Sequence, residues 1–342
     1  MQIGLYAHTH GLGYREGEHN RTASTPAITL QPAAVAIDAE RAGFHSMWFP
    51  DHVCMPIDTT SAHVANVSGK RSYQSRHDLL DAAVVMGAVA TVTSTLKLGT
   101  SVLVSPYRGP LNDARQFTTV DVLSNGRLLL GVGQGWMAEE FAALGIDLAE
   151  RGRRTLECIE IYKRCWSDDV VSFTGEFYSF SDISMDPKPV QRPRPPIIYG
   201  GVSPLGARRA ARRCDGFYPL FLDPYAEPTR YRAHQGEIRR ILDEQGRDPA
   251  TFTMMGAATL QLTSEADAIG ANGQRMICTG TVEQILSDLE AFAAEGYSMI
   301  VTKLVCPSGE VAELRETIDR VGRELMPVAA TFQPAGGWHP RL

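Results

Sequence analysis

Residues 79–133, LLDAAVVMGAVATVTSTLKLGTSVLVSPYRGPLNDARQFTTVDVLSNGRLLLGVG, contain two rounds of one alternating unit. Leu79–Val92 is Ala-rich and reads as a helix, and Lys97–Val104 is a short run rich in β-branched residues that reads as a strand. Leu111–Leu123 again has helical spacing, and Arg127–Gly133 is a second compact apolar strand. Strands that alternate with helices pair in parallel, because each helix carries the chain back to the same edge.

The unit recurs in both directions. Upstream lie a strand at Gln2–Ala7, a helix at Pro32–Gly43 ending on a glycine suited to the position after a helix, and a strand at Ser46–Pro50. Downstream, Ala138–Trp166 predicts one or two helices, followed by strands at Pro196–Gly201, Gly216–Leu220, Phe252–Leu262 and Tyr297–Leu304. Helices at Leu205–Cys214, Tyr225–Glu244, Val282–Glu295 and Val311–Leu325 separate and follow them. The pattern predicts an α/β fold, one (β/α)8 TIM-barrel domain over 1–342. An open doubly wound sheet is the alternative, and the missing G-x-G-x-x-G after the first strand counts against it. Insertions are predicted after strand two (53–77) and after strand four and its helices (168–195). The first is expected over the active site. The second reads as a hairpin, Val170–Phe173 and Glu176–Phe180 around Thr174-Gly175, and then a proline-rich tract. Residues 327–342 form a C-terminal extension.

A net charge of −6 argues against nucleic-acid or anionic-membrane partners, both of which need concentrated Lys and Arg. The basic clusters Arg151–Arg154 and Arg208–Arg213 read as solvated or ion-paired helix faces. Six cysteines contain no C-x-x-C pair, the start MQIGLYAHTH lacks a secretory pattern, and no apolar run is long enough to cross a membrane. A cytoplasmic protein with reduced thiols is expected.

Barrel chemistry sits at the C-terminal ends of the strands. Those positions hold His8, Thr9 and His10; Asp51-His52; Ser101-Val102; Gly133, Gln134, Gly135 and Trp136; Gly200, Gly201 and Ser203; and Lys303. No nucleophile elbow or phosphate loop is present, which removes most hydrolase and kinase readings. A metal hydrolase built on His8 and His10 stands as a competing reading, but no metal is expected. His52 suits proton transfer near neutral pH; Asp51 either sets its state or points to the opposite side of an extended segment. A loop histidine bonded to backbone is the bland alternative. Gly200-Gly201-Val202-Ser203 precedes a helix, so it is either an anion site for a cofactor phosphate or an ordinary helix cap.

At these residues the chain resembles the bacterial luciferase-like superfamily of flavin- and deazaflavin (F420)-dependent oxidoreductases. The resemblance rests on Gly43–His52 (GFHSMWFPDH), Leu98–Leu103 (LGTSVL), Leu123–Arg127 (LSNGR), Gly131–Trp136 with Glu139-Glu140-Phe141, Arg151–Arg154, Asp186–Gln191 and Gly200-Gly201. It implies a ring over the strand ends, a non-prolyl cis peptide at Ser101-Val102, and His52 with Asp51 as the catalytic pair. It further implies that Gly133, Gln134, Gly135 and Glu139 border the cofactor and that Gly200, Gly201 and Val202 hold its phosphate. The Asp-His pair with Gly-Thr-Ser-Val-Leu resembles the F420 branch more than the FMN branch. F420-dependent hydride transfer with a small organic substrate is therefore expected. An FMNH2-dependent monooxygenase, fed by a separate reductase, and a non-catalytic flavin-binding protein are the alternatives. Trp136 stands where one sugar-phosphate-oxidising F420 group has a glutamate, so that substrate is not implied. Similar proteins are commonly homodimers, and a homodimer is expected here.

Overall fold

The predicted strands become the staves of a closed barrel: β1 (Gln2–Tyr6), β2 (Ser46–Phe49), β3 (Lys97–Thr100), β4 (Leu128–Gly133), β5 (Ile197–Gly200), β6 (Gly216–Tyr218), β7 (Thr253–Leu262) and β8 (Met299–Leu304). This is a computed structural model that describes residues 1–16, 19–23, 25–63, 76–220, 228–270 and 272–338. All neighbouring staves pair in parallel, from β1 with β2 round to β8 with β1. Pairing of β4 with β5, Leu130 opposite Ile197, closes the ring and excludes the open-sheet alternative.

Helices α1 (Pro32–Arg41), α2 (Ala82–Val92), α3 (Pro110–Leu123), α4 (Arg151–Ser167), α5 (Pro204–Arg213), α6 (Arg232–Glu244), α7 (Val282–Ala294) and α8 (Val311–Glu324) accompany the strands. Most side chains of the main core lie between these helices and the strands. A second cluster, drawn from strand residues such as Tyr6, Trp48, Leu129, Met255 and Met299, fills the inside of the barrel. Trp48 is fully buried there. Gly99 makes room for it, since a Cβ at that position would sit 2.4 Å from the indole.

Several local expectations need correction. The third strand is interrupted: after Thr100 comes a cis Ser101–Val102 peptide, and Leu103–Val104 then pairs with the end of β4. An antiparallel hairpin, Gly13–Glu16 with His19–Thr22, follows β1, where no element was predicted. In the second insertion the strands are Val171–Thr174 and Ser179–Ile183, so residues 175–178 form a wider turn than Thr174-Gly175. Helix α6 begins at Arg232 after a 3-10 turn at Pro228–Tyr231, later than the predicted Tyr225 start. The extension packs against the body: Trp338 is buried, and the Met1 amino group donates to the Ala329 carbonyl at 3.0 Å. Of the first insertion, 64–75 lies outside the described residues.

Arg127 fastens the starts of β3 and β4. It is buried, and its guanidinium donates to the carbonyls of Ala90 (2.7 Å), Thr93 (2.8 Å), Leu96 (2.6 Å) and Ser124 (2.6 Å) and to the Thr93 hydroxyl (2.9 Å). Helix α2 ends in this region and α3 ends beside Ser124, so one side chain satisfies several orphan carbonyls. Arg127→Met is expected to lower the unfolding free energy by about 2–4 kcal/mol in urea titrations. A loss below about 1 kcal/mol would show that these loops hold without it.

Candidate active site

Parallel staves bring all their C-terminal ends to one rim, and a cavity of about 330 Å³ opens there. Its wall takes Tyr6 from β1, Asp51 and His52 after β2, Ser101 and Val102 after β3, and Gly133, Gln134, Gly135 and Trp136 from β4 onward. Gly200, Gly201, Val202 and Ser203 follow β5 into the same wall, with Leu220 after β6 and Lys303 from β8. His52 and Gly201, 149 positions apart in sequence (201 − 52), thus meet on one cavity.

Asp51 and His52 do not act on one another. The Asp51 carboxylate accepts from Arg108 Nη1 and Nη2 at 2.8 and 2.7 Å and from the Val104 amide at 2.9 Å. It ties the segment beyond the cis peptide to the end of β2. His52 turns the other way, as neighbours on extended chain do, and its Nδ1 lies 2.8 Å from Glu140 Oε2. Glu140 Oε1 also accepts from the Val53 and Cys54 amides at 2.7 and 3.1 Å. Burial pushes the Glu140 carboxyl up, but the hydrogen bonds from His52 and Val53 outweigh it and hold the group below the usual glutamate range.

Glu140 is carried by a short helix, Ala138–Ala143. Its neighbour Glu139 is outside the cavity wall, and its carboxylate accepts from the Thr60 amide and the Ser61 hydroxyl, each at 2.7 Å. The two glutamates therefore grip the loop after β2 at two points. His63 from that loop lines the cavity and meets Trp136 edge to face at 4.7 Å between ring centres.

The cavity wall also carries cations. Arg151 and Arg209 both line it, so these members of the two basic clusters are not simply solvated faces. Others in the clusters are ion-paired on the surface, Arg154 with Glu150 and Arg213 with Glu160. Arg209 Nη1 donates to Gln134 Oε1 at 2.7 Å. Arg151 Nη1 donates to the Leu148 carbonyl at 2.8 Å, while its buried Nε has no acceptor among the described residues. Ser203 caps α5, its hydroxyl accepting from the Gly206 amide at 3.1 Å, and the Gly201 amide donates to the Tyr218 carbonyl at 3.0 Å. His8 and His10 are absent from the cavity wall; His8 Nε2 lies 3.1 Å from the Leu304 carbonyl, and burial with Lys303 nearby pushes its pKa down to about 3.

The sequence profile of luciferase-like monooxygenases matches residues 14–323. The chain belongs to the luciferase-like monooxygenase family. An uncharacterized protein of Mycobacterium tuberculosis is 32% identical over 209 residues, which is 61% of this chain and 70% of that relative. The FMNH(2)-dependent dimethylsulfone monooxygenase of Pseudomonas putida is 36% identical over 141 residues, 40% of this chain and 39% of the enzyme. An F420-dependent secondary alcohol dehydrogenase, solved with an F420-acetone adduct, superposes with a TM-score of 0.72 at 19% identity, covering 96% of this chain and 98% of the other. This luciferase-like chain thus has the fold of oxidoreductases that use F420 or a flavin. Its site fits such a group: a slot over Val102, a buried Arg151 Nε without an acceptor among the described residues, and the N-terminus of α5 in the wall.

Because the folded Glu140 pKa lies below its unfolded value near about 4.3, the Glu140 contribution is complete above that value and is lost as pH falls through the folded pKa. Glu140→Gln is expected to cost about 1–3 kcal/mol at pH 7, with the gap to the parent closing below about pH 4. Urea titrations across that range check this. A gap that is constant with pH would show that the carboxylate's charge is not what holds His52.

Proposed function

We propose that this chain is an F420-dependent oxidoreductase that moves a hydride between the deazaflavin and a small organic substrate, with His52 as the proton donor or acceptor. The observation that carries this reading is the pairing of His52 Nδ1 with the buried Glu140 at the cavity wall, at 2.8 Å. A carboxylate on one ring nitrogen fixes the tautomer and orients the ring, which suits it to proton transfer at its other nitrogen. Bound F420 would supply hydride transfer at carbon without involving O2. Arg151 and the α5 N-terminus would hold its phosphate. His63, Trp136 and the loop pinned by Glu139 would keep water from the reacting end.

The likeness to a dimethylsulfone monooxygenase favours a second reading, an FMNH2-dependent monooxygenase served by a separate reductase. Fluorescence titration separates the two. F420 is expected to bind at least about tenfold more tightly than FMN, a difference of ~1.4 kcal/mol. His52→Ala is expected to lower F420-linked turnover by about 10²–10⁴-fold while changing F420 affinity little. Tighter FMN binding with O2-dependent product formation would establish the monooxygenase, unchanged turnover in His52→Ala would remove His52 as the proton donor or acceptor, and binding without turnover of any substrate would leave a flavin carrier.

A further inference from the structure

Lys303 is not used by the chemistry above. It projects from β8 into the cavity wall at 5% exposure, and its Nζ donates to the Thr22 hydroxyl at 3.0 Å. The Tyr6 ring centre lies 5.7 Å from Nζ, and Gly13 clears space for the chain, since a Cβ there would come within 2.8 Å of Lys303 Cε. Among the described residues no carboxylate pairs with it. Asp51, the one acidic residue in this wall among them, is held by both Arg108 nitrogens.

Among the described residues, the titratable groups facing the lysine are histidines and a thiol, none of them acidic at neutral pH. His8, His10 and His63 are each pushed down by burial and by Lys303 itself; His52 and His77 flank His10. Cys306 beyond β8 is raised by burial to about 12 and stays a thiol. A buried ammonium without a counter-ion is costly, and burial brings Lys303 down to about 8. Lys303 is the cation on the β8 side of this cavity, and one buried ammonium pairs with one carboxylate through a charge-assisted hydrogen bond.

We infer that Lys303 is the anchor for a carboxylate on the substrate, so that the molecule oxidised or reduced here is a small organic acid with an apolar body against Tyr6 and Leu220. The inference rests on the redox reading for what happens to that acid, while the anchor itself is tested by binding alone. Calorimetric titration of the full chain, with and without F420, would compare propionate, butyrate and benzoate with their amides. At pH 7 the acids are expected to bind at least about tenfold more tightly than the amides, the effect of one charge-assisted hydrogen bond. That preference is expected to vanish in Lys303→Met and to return in part in Lys303→Arg. In the unaltered chain it should fade as pH rises above about 8, a test that needs no variant to fold. Equal binding of acids and amides, no binding of any acid, or a preference that survives in Lys303→Met would overturn the anchor. Loss of F420 binding alone, with the acid preference intact, would remove the deazaflavin reading and leave the anchor standing.

Discussion

The side chain of Val102 is the wedge around which the rim is assembled. A Cβ at Gly133 would lie 2.5 Å from Val102 Cγ2, and one at Gly200 would lie 2.7 Å from Cγ1. The ends of β3, β4 and β5 can converge only because those two positions carry no side chain. Val102 also packs on the cluster that fills the barrel, so the cavity floor continues directly into the interior beneath it. Glycines that looked like cofactor contacts in the sequence therefore have a packing reason of their own.

Two adjacent glutamates on one short helix organise the other wall. Glu140 turns inward to His52 and the Val53 and Cys54 amides; Glu139 turns outward to Thr60 and Ser61. A loop without regular structure is thus held at both ends of its described part by charge-assisted hydrogen bonds. Asp51, Glu139 and Glu140, the carboxylates described near the cavity, are engaged by protein donors, whereas Arg151, Arg209 and Lys303 bring cationic groups to its wall. The cavity as a whole favours anions.

Most of the architecture was legible because closed parallel barrels write a simple pattern: compact apolar strands, amphipathic helices, and short turns between them. The observed strand limits fall within one to three residues of the predicted ones, apart from the break in β3. That break left no periodic trace, since Ser101 and Val102 look like any strand pair, and only the family resemblance pointed to it. The Gly13–Thr22 hairpin was missed because its strands are short and lack an alternating apolar face. Glu140 was passed over for Glu139 because successive helix positions differ by about 100° and so short a helix gives no pattern to fix its phase. Arg151 and Arg209 were hidden inside basic runs whose other members do sit at the surface.

The central claim is that the ends of β2 to β5 form one receptor for a flavin-type group. Amide hydrogen exchange with and without F420 tests it most directly. Slowed exchange is expected together at 52–54, 101–104, 133–136 and 201–206, with the N-terminal side of the barrel unchanged. Protection confined to one of these segments, or located away from the rim, would contradict it.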